Sequence, residues 1–573
     1  MPEGVEFTEA PDAPRNQITL RIIAQDPSVT GDDGTILTAA VKIPWSRMED
    51  GPRGARFHVV DFDASTGRYV KHPGLPNDDA FADAADRVLE TDYGFHAQQV
   101  YAAASRTLAT FESALGRRLS WGFNGHHLHL VPHAFAEANA YYASEDRALL
   151  FGYVPAIAGR PTYTCLSYDV VVHETTHAVL DGLRSRFLEP GLPDQAGFHE
   201  GFADIVALLS VFSMRPVVEQ CLGRADKAGR IERRQVEPAQ LRSGVLAGVA
   251  EQIGQVLTQG RGALRRSAMH PPPADWADLP QFQEPHRRGE VLVAVVLDLL
   301  IDIWVKRLEP LLAPEETNVA TLDRVRAAEE GARAASQLLT MLIRGLDYLP
   351  PVEFEFGDLL DAVLLADAEV VPDDDLGYRD ILVDRFEKAG IHRPRNSVTD
   401  VLDAEVAPHY LGFNFAALRS DRDEIFRFLW QNALRLGIAT KYFTSIESVR
   451  PSQRIAPDGL IVVETVATYV QLLDVSAEEL EEITELNIPD DLDPETPLQL
   501  LGGGTLVFDQ FGRLKLHIHK DLDDWRRQLR RVEYLHRTGR SDRSKRLGFS
   551  DGAARGQAFA ELHNTELNSG EAW

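Results

Sequence analysis

YDVVVHETTHAVLDGLRSR (168–186) reads as a single helix with apolar residues recurring at three- and four-residue spacing. Inside it, HETTH is an H-E-x-x-H motif. Four residues make about one helical turn, so His173 and His177 project from one face and can hold an ion between them. Glu174 sits beside them, where a carboxylate can take a proton from a water held at that ion. Working outward, a second helix is expected over 197–213. Its segment FHEGFADIV carries Glu200 and Asp204 one turn apart, and Glu200 follows His177 by 23 residues. A catalytic zinc takes three protein ligands and keeps one position open, and two histidines with a glutamate are a known set. The expected ligands are therefore His173, His177 and Glu200. Asp204 would accept the remaining ring N–H of a ligand histidine and fix its tautomer. His199 is read as pointing elsewhere and is left out.

The surrounding pattern is mixed. ITLRIIA and RFHVVDFD, within 17–71, have the β-branched and aromatic content of strands, with turns at GDDG and STG. FHAQQVYAAASRTLATFESALG is helical by spacing; HLHLVPH reads as a strand, and NAYYASEDRALLFGY as an edge strand and a turn. The chain is then largely helical to about 390. Residues 392–573 change character, with helix (DEIFRFLWQNALRLG), strand (GLIVVETVATYVQLL), a capping box at Ser476-x-x-Glu479 and a hairpin around DQFGR. Segment 474–495 holds ten acids and no base, whereas 526–546 holds nine Lys/Arg against two acids. Two solvated faces that pair with each other are expected. Gly502-Gly503-Gly504 lacks the Lys-Ser/Thr of a phosphate loop and reads as a turn. His126, His127, His129 and His133, like His517 and His519, are expected on exposed strand faces, a second metal site being the lesser reading.

At 573 residues the chain exceeds one compact core. The expected division is a disordered 1–16, an N-terminal lobe with the zinc helices (17–213), a mainly helical lobe (214–391) and a further α+β domain (392–573). A net charge of −28 argues against nucleic acid as a partner, because a phosphate backbone would be repelled. The two cysteines, Cys165 and Cys221, are expected to be reduced thiols. VLVAVVLDLLIDIW (291–304) is too short to span a bilayer and contains Asp298 and Asp302, so no membrane association is expected. The N-terminal stretch has no basic start and no apolar run, which sets the expected compartment as the cytoplasm, with leaderless export left open.

DVVVHETTHAVLDGL and HEGFAD together resemble the zinc helix and the E-x-x-x-D helix of the thermolysin-type metallopeptidases, within the gluzincins. The resemblance covers roughly 20–391. It implies an α+β, thermolysin-like peptidase with a β-rich N-terminal part and a helical C-terminal half. It makes Glu200 the third ligand and has Asp204 orient His173. Asn139-Ala140-Tyr141 resembles the family's edge strand, which pairs with an extended peptide or protein substrate. ALRRSAMHPP resembles the segment with a substrate-binding arginine, here Arg265, with Arg266 a competitor. EPHRRGEVLVAVVLDLL makes His286 the histidine that steadies the oxyanion. The implied activity is that of a zinc-dependent endopeptidase with one catalytic Zn2+ and Glu174 as general base. No G-x-M-E-N segment precedes HETTH, which disfavours an aminopeptidase. The alternative is a catalytically weak or inactive peptidase-fold protein serving as a peptide-binding or toxin scaffold.

Two departures from the family's pattern stand out, at the oxyanion tyrosine and at the calcium-binding glutamate. No tyrosine lies between His177 and Glu200 to share the oxyanion with His286. Residues 392–573 lie beyond the resemblance; they are expected to govern substrate access or partner docking, or alternatively to complete the peptidase core. Leu208-Leu209-Ser210-Val211 stands where the family's helix carries a calcium-binding glutamate, so structural calcium is not expected. Calcium chelation at zinc-sparing strength should leave the melting temperature unchanged, and a large drop would reveal a calcium site.

Overall fold

The computed structural model describes residues 16–155, 161–189, 191–251, 272–273, 275–312, 321–394, 398–399, 407–484, 488–538, 545–546 and 549–550. The fold is mixed α+β. In β1 (Gln17–Ile23) and β2 (Thr38–Pro44) alternate side chains are buried, and the two pair antiparallel. The second sheet has the order β3 (Phe57–Val59), β6 (Leu128–Phe135), β8 (Ala148–Val154), β7 (Ala140–Ala143), with β9 (Thr162–Tyr163) continuing from β8. Between β3 and β6 in sequence come the hairpin β4 (Asp61–Asp63) and β5 (Arg68–Val70) and helices α1 (Asp86–Thr91) and α2 (Tyr93–Leu115). α2 starts where Asp92 accepts a hydrogen bond from the Gly94 N–H and stops at Gly116, whose φ of 66° suits a residue without a Cβ.

Helices α3 (Tyr168–Leu183), α4 (Pro193–Phe212), α5 (Arg215–Cys221) and α6 (Pro238–Glu251) follow. Then come α7 (Pro285–Leu312), α8 (Arg324–Gly345), α9 (Phe356–Val370) and α10 (Tyr378–Lys388), with a short ribbon of β10 (Arg230–Glu232) and β11 (Thr321–Asp323). α4 begins four residues earlier than the sequence pattern suggests, because Pro193 is preorganised for a helix's first turn. One contiguous core runs from Ile18 to Ile391 and takes in Val507 and Ile518 of the C-terminal part, so the two lobes expected on either side of residue 213 share it. No single helix among the described residues is long and apolar enough to cross a membrane.

The C-terminal part builds its own antiparallel sheet, in the order β12 (Val398–Thr399), β16 (Leu514–Lys520), β15 (Pro497–Phe508), β14 (Ile461–Ser476), β13 (Phe443–Ile455). Helices α11 (Arg422–Gln431), α12 (Ala477–Thr484) and α13 (Trp525–Arg537) flank it. The capping box ahead of α12 is reciprocal: Ser476 N–H donates to Glu479, and Glu479 N–H to Ser476 Oγ. Three sequence expectations change here. Gly502–Gly504 is the middle of β15, paired with Tyr469–Gln471, and not a turn. A Cβ on Gly503 would lie 2.4 Å from the Tyr469 carbonyl oxygen, so close backbone approach explains the glycine. His133 and His517 are buried, at 3% and 0% exposure, not on open strand faces. The basic helix α13 meets the acidic segment through His536 and Asp491, but its arginines turn to the helical lobe, Arg530 to Glu355 and Arg531 to Glu353.

That last contact belongs to a charged seam between the C-terminal sheet and the rest. Arg454 of β13, fully buried, donates to Asp347 and to Glu464 at 2.7 Å each, and Arg117 grips the same Asp347 at 2.6 Å. Burial alone would raise the Asp347 carboxyl, but Arg117 and Arg454 hold it well below the usual carboxylate range. Lys520 meets Asp358 at 2.6 Å. Glu353, 0% exposed, gives its N–H to Gln195 of α4, and Phe356 N–H donates to Asp194. The start of α4 is thereby tied to the segment that Arg531 and Lys520 neutralise.

Removing one partner of such a buried set leaves an uncompensated charge. Arg454→Met should destabilise the protein by about 3–5 kcal/mol in denaturant unfolding; a loss below about 1 kcal/mol would show the seam to be dispensable. A fragment ending near residue 392 keeps Arg117 but loses Arg454 at Asp347 and the cations facing Glu353 and Asp358, and is expected to be insoluble or metal-free. A soluble, metal-loaded fragment would mark residues 392–573 as an accessory domain.

Candidate metal centre

α3 is not a strong helix by propensity. Val170–Val172, Thr175, Thr176 and Val179 are β-branched, each costing up to about 0.7 kcal/mol relative to alanine. Burial holds it: its residues are enclosed on nearly every side, including His173, Glu174 and His177. Thr175 and Thr176 return their hydroxyls to the carbonyls of Val171 and Val172. The other polar groups of this helix find partners on neighbouring elements. His173 Nδ1 lies 2.8 Å from Asp204 Oδ1, and His177 Nδ1 lies 2.8 Å from His199 Nδ1. Glu174 Oε2 accepts the Tyr142 N–H of β7 at 3.1 Å, and Asp181 accepts the Tyr142 hydroxyl at 2.9 Å.

With their Nδ1 atoms so engaged, the two histidines turn Nε2 toward each other, 2.9 Å apart. Glu200 closes the triangle at 3.4 Å from His173 Nε2 and 3.6 Å from His177 Nε2. Ligand bonds of about 2.0–2.1 Å in a tetrahedron separate donor atoms by about 3.3 Å, so these distances bracket a zinc site. The donor set fits the metal. Charge fits too. Burial pushes the His173 imidazole down, but Asp204, Glu200 and Glu174 outweigh it and hold its charged form up to about 10. Burial drives His177 well below its usual range and His199 down to about 4. Carboxylates thus call for positive charge where the three donors converge.

Glycines bring the remaining residue in. α4 and α7 cross backbone to backbone, with Gly289 against Gly197 and Gly201: a Cβ on Gly289 would lie 2.7 Å from the Gly197 carbonyl oxygen. This close crossing carries the first turn of α7 over α4, leaving His286 Nε2 4.0 Å from Glu200 Oε2. Glu284 meets His286 Nδ1 at 2.6 Å, and burial of that carboxylate is outweighed by the histidine, which lowers it.

The structure therefore gathers His173, Glu174, His177, Glu200, Asp204 and His286 around one point. β7 lies at the end of its sheet, with Asn139 just before it and Ala140 its first residue. Asn139 is 7% exposed; its side chain accepts the Ala140 N–H and its carbonyl accepts the Gly152 N–H. Arg265 and Arg266 lie outside the described residues. His199, left out on sequence grounds, is the hydrogen-bond partner of His177 Nδ1, its ring stacked on that of His177 with centroids 4.9 Å apart. The signal was adjacency to Glu200, which a view of one helix face discounts.

Glu200→Ala should abolish tight zinc binding, whereas His199→Ala and Asp204→Ala should weaken it about 10–100-fold. Competition with a chromophoric chelator measures both, and a Glu200→Ala protein that still holds one zinc tightly at this site removes Glu200 from the ligand set. No family model matches the chain, nor does any curated protein compared with it, so the case for its activity rests on these residues and their geometry.

Proposed function

We propose that this protein is a zinc-dependent endopeptidase of the thermolysin type. The observation that carries the reading is the buried His173–His177–Glu200 triangle, with Glu174 next to it and hydrogen-bonded to the backbone of an edge strand. When bound by those three residues, zinc would supply Lewis acidity toward the scissile carbonyl and lower the pKa of water at its open position.

The chain's own groups do the rest. An extended peptide adds as a strand along β7, which directs its backbone past Glu174. The Glu174 carboxylate takes a proton from the attacking water and delivers it to the leaving amine. His286, its Nδ1 facing Glu284, would when protonated present an Nε2 proton to the oxyanion. Asp204 and His199 engage the Nδ1 atoms of the ligand rings, leaving Nε2 exposed. Arg265 joins as a substrate contact on the strength of the resemblance alone. Hydrolysis needs no nucleophilic side chain, and Glu174 and His286 come from elements fixed by packing, which favours preorganised chemistry over a decayed scaffold.

Glu174→Gln keeps the three ligands and removes only the proton acceptor. Metal content should stay at wild-type level while kcat/KM on a peptide library falls about 10²–10⁴-fold. Equal turnover by mutant and wild type would remove Glu174 from the chemistry, and a zinc-loaded wild type that binds peptides without cutting them would favour the scaffold reading.

A further inference from the structure

A second buried cluster lies in the β-rich lobe, built from residues far apart in sequence. His96 is in the first turns of α2, His133 is on β6, and Cys165 sits in the single 3-10 turn Thr164–Leu166 that precedes α3. Their exposures are 0%, 3% and 0%, and one donor atom from each lies within 4.8 Å of the other two. Asp61 of β4 and His72, both buried, stand behind them.

The hydrogen bonds determine which ring nitrogens face inward. His96 Nε2 lies 3.1 Å from the Glu90 carbonyl oxygen, which can only accept, so that nitrogen donates. His133 Nδ1 lies 2.8 Å from Asp61 Oδ1, again an acceptor, while His72 Nε2 holds the other Asp61 oxygen at 2.7 Å. In the neutral rings the lone pairs of His96 Nδ1 and His133 Nε2 then point at each other across 2.8 Å. Two lone pairs at that distance need a cation between them: a proton or a metal. The third donor, the Cys165 sulfur, decides for the metal. A shared proton has no use for a thiol, whereas a two-histidine, one-cysteine set is a zinc or copper arrangement. The carboxylate–histidine pair behind it repeats the Asp204–His173 arrangement of the first centre.

We propose that His96, His133 and Cys165 bind a second divalent transition-metal ion, zinc in the cell, with the fourth tetrahedral position taken by a small neutral ligand such as water. Tetrahedral zinc would space the two nitrogens about 3.3 Å apart and each nitrogen from the sulfur by about 3.6 Å, which small ring movements reach. Binding releases the thiol proton to solvent. The ion's two positive charges then meet one thiolate and the Asp61 carboxylate, so the buried group is neutral overall. The Tyr93 ring packs on His133 with centroids 4.1 Å apart, and Tyr163 closes on both histidines. Enclosure of this kind suits a tie between α2, β6 and the turn leading into α3, rather than a site for substrate.

Cobalt(II) loading of the full-length chain tests this, because only a site with sulfur gives a thiolate-to-cobalt charge-transfer band in the near ultraviolet. The wild type is expected to hold two metal ions per chain and show the band. Glu200→Ala should drop to one ion and keep the band; Cys165→Ser should keep one ion and lose it; Cys221→Ser should change neither. One ion with a band that survives Glu200→Ala would support this site while removing metal from the His173 centre. A wild type with no thiolate band, or a band that survives Cys165→Ser or vanishes with Cys221→Ser, overturns the proposal. Should Cys165→Ser fail to fold, the wild type and Cys221→Ser still decide, because the chain has only two cysteines.

Discussion

A helix buried on nearly every side cannot leave its polar groups to water, and α3 carries several of them at the centre of the molecule. His173 and His177 draw on Asp204 and His199 of α4, while Glu174 and Asp181 draw on Tyr142 of β7. The positions of α4 and of the edge strand relative to α3 are therefore set by hydrogen bonds as well as by packing. The same contacts engage the Nδ1 atoms of both rings and place a carboxylate beside a strand edge. What satisfies the buried polar groups also sets the geometry of the candidate site.

The C-terminal sheet acts on this arrangement from a distance. Arg531 faces the buried Glu353, whose backbone is held by Gln195, and Phe356 N–H is held by Asp194, at the N-terminal end of the helix that supplies Glu200. Asp194 is also gripped by Arg288, two residues beyond His286. Charges contributed by residues beyond 392 thus reach the two helices that complete the centre. The seam combines paired buried charges with apolar contacts from Val507, Ile518, Val470 and Leu501, and the charge pairs add specificity of fit to simple adhesion of two apolar faces.

The two buried histidine clusters share one logic. In the second, a ring nitrogen facing an obligate acceptor forces the opposite nitrogen to present its lone pair toward a neighbour doing the same; in the first, Asp204 and His199 engage the Nδ1 atoms of His173 and His177, and the Nε2 atoms face each other. They differ in the third donor, a carboxylate in one and a thiol in the other, and in their neighbours. An edge strand and the Glu174 carboxylate adjoin the first; aromatic rings close over the second.

Much of the first centre was legible because its spacing is local. One helical turn separates His173 from His177 and Glu200 from Asp204, so each pair shares a face whatever the rest of the chain does. The capping box at Ser476, the strands of 17–71 and the mixed α+β class follow from equally local periodicity. Only tertiary structure decided the rest. His96, His133 and Cys165 sit on three elements with no common period, and their meeting is a property of how α2, β6 and the turn before α3 converge. Gly502–Gly504 reads as a turn until neighbouring strands press against its backbone, and His199 looks idle until His177 arrives from another helix. Sequence fixes what neighbours along the chain can share, because backbone geometry repeats every 3.6 or 2 residues. Contacts between distant elements obey no such period, and packing alone brings those residues together.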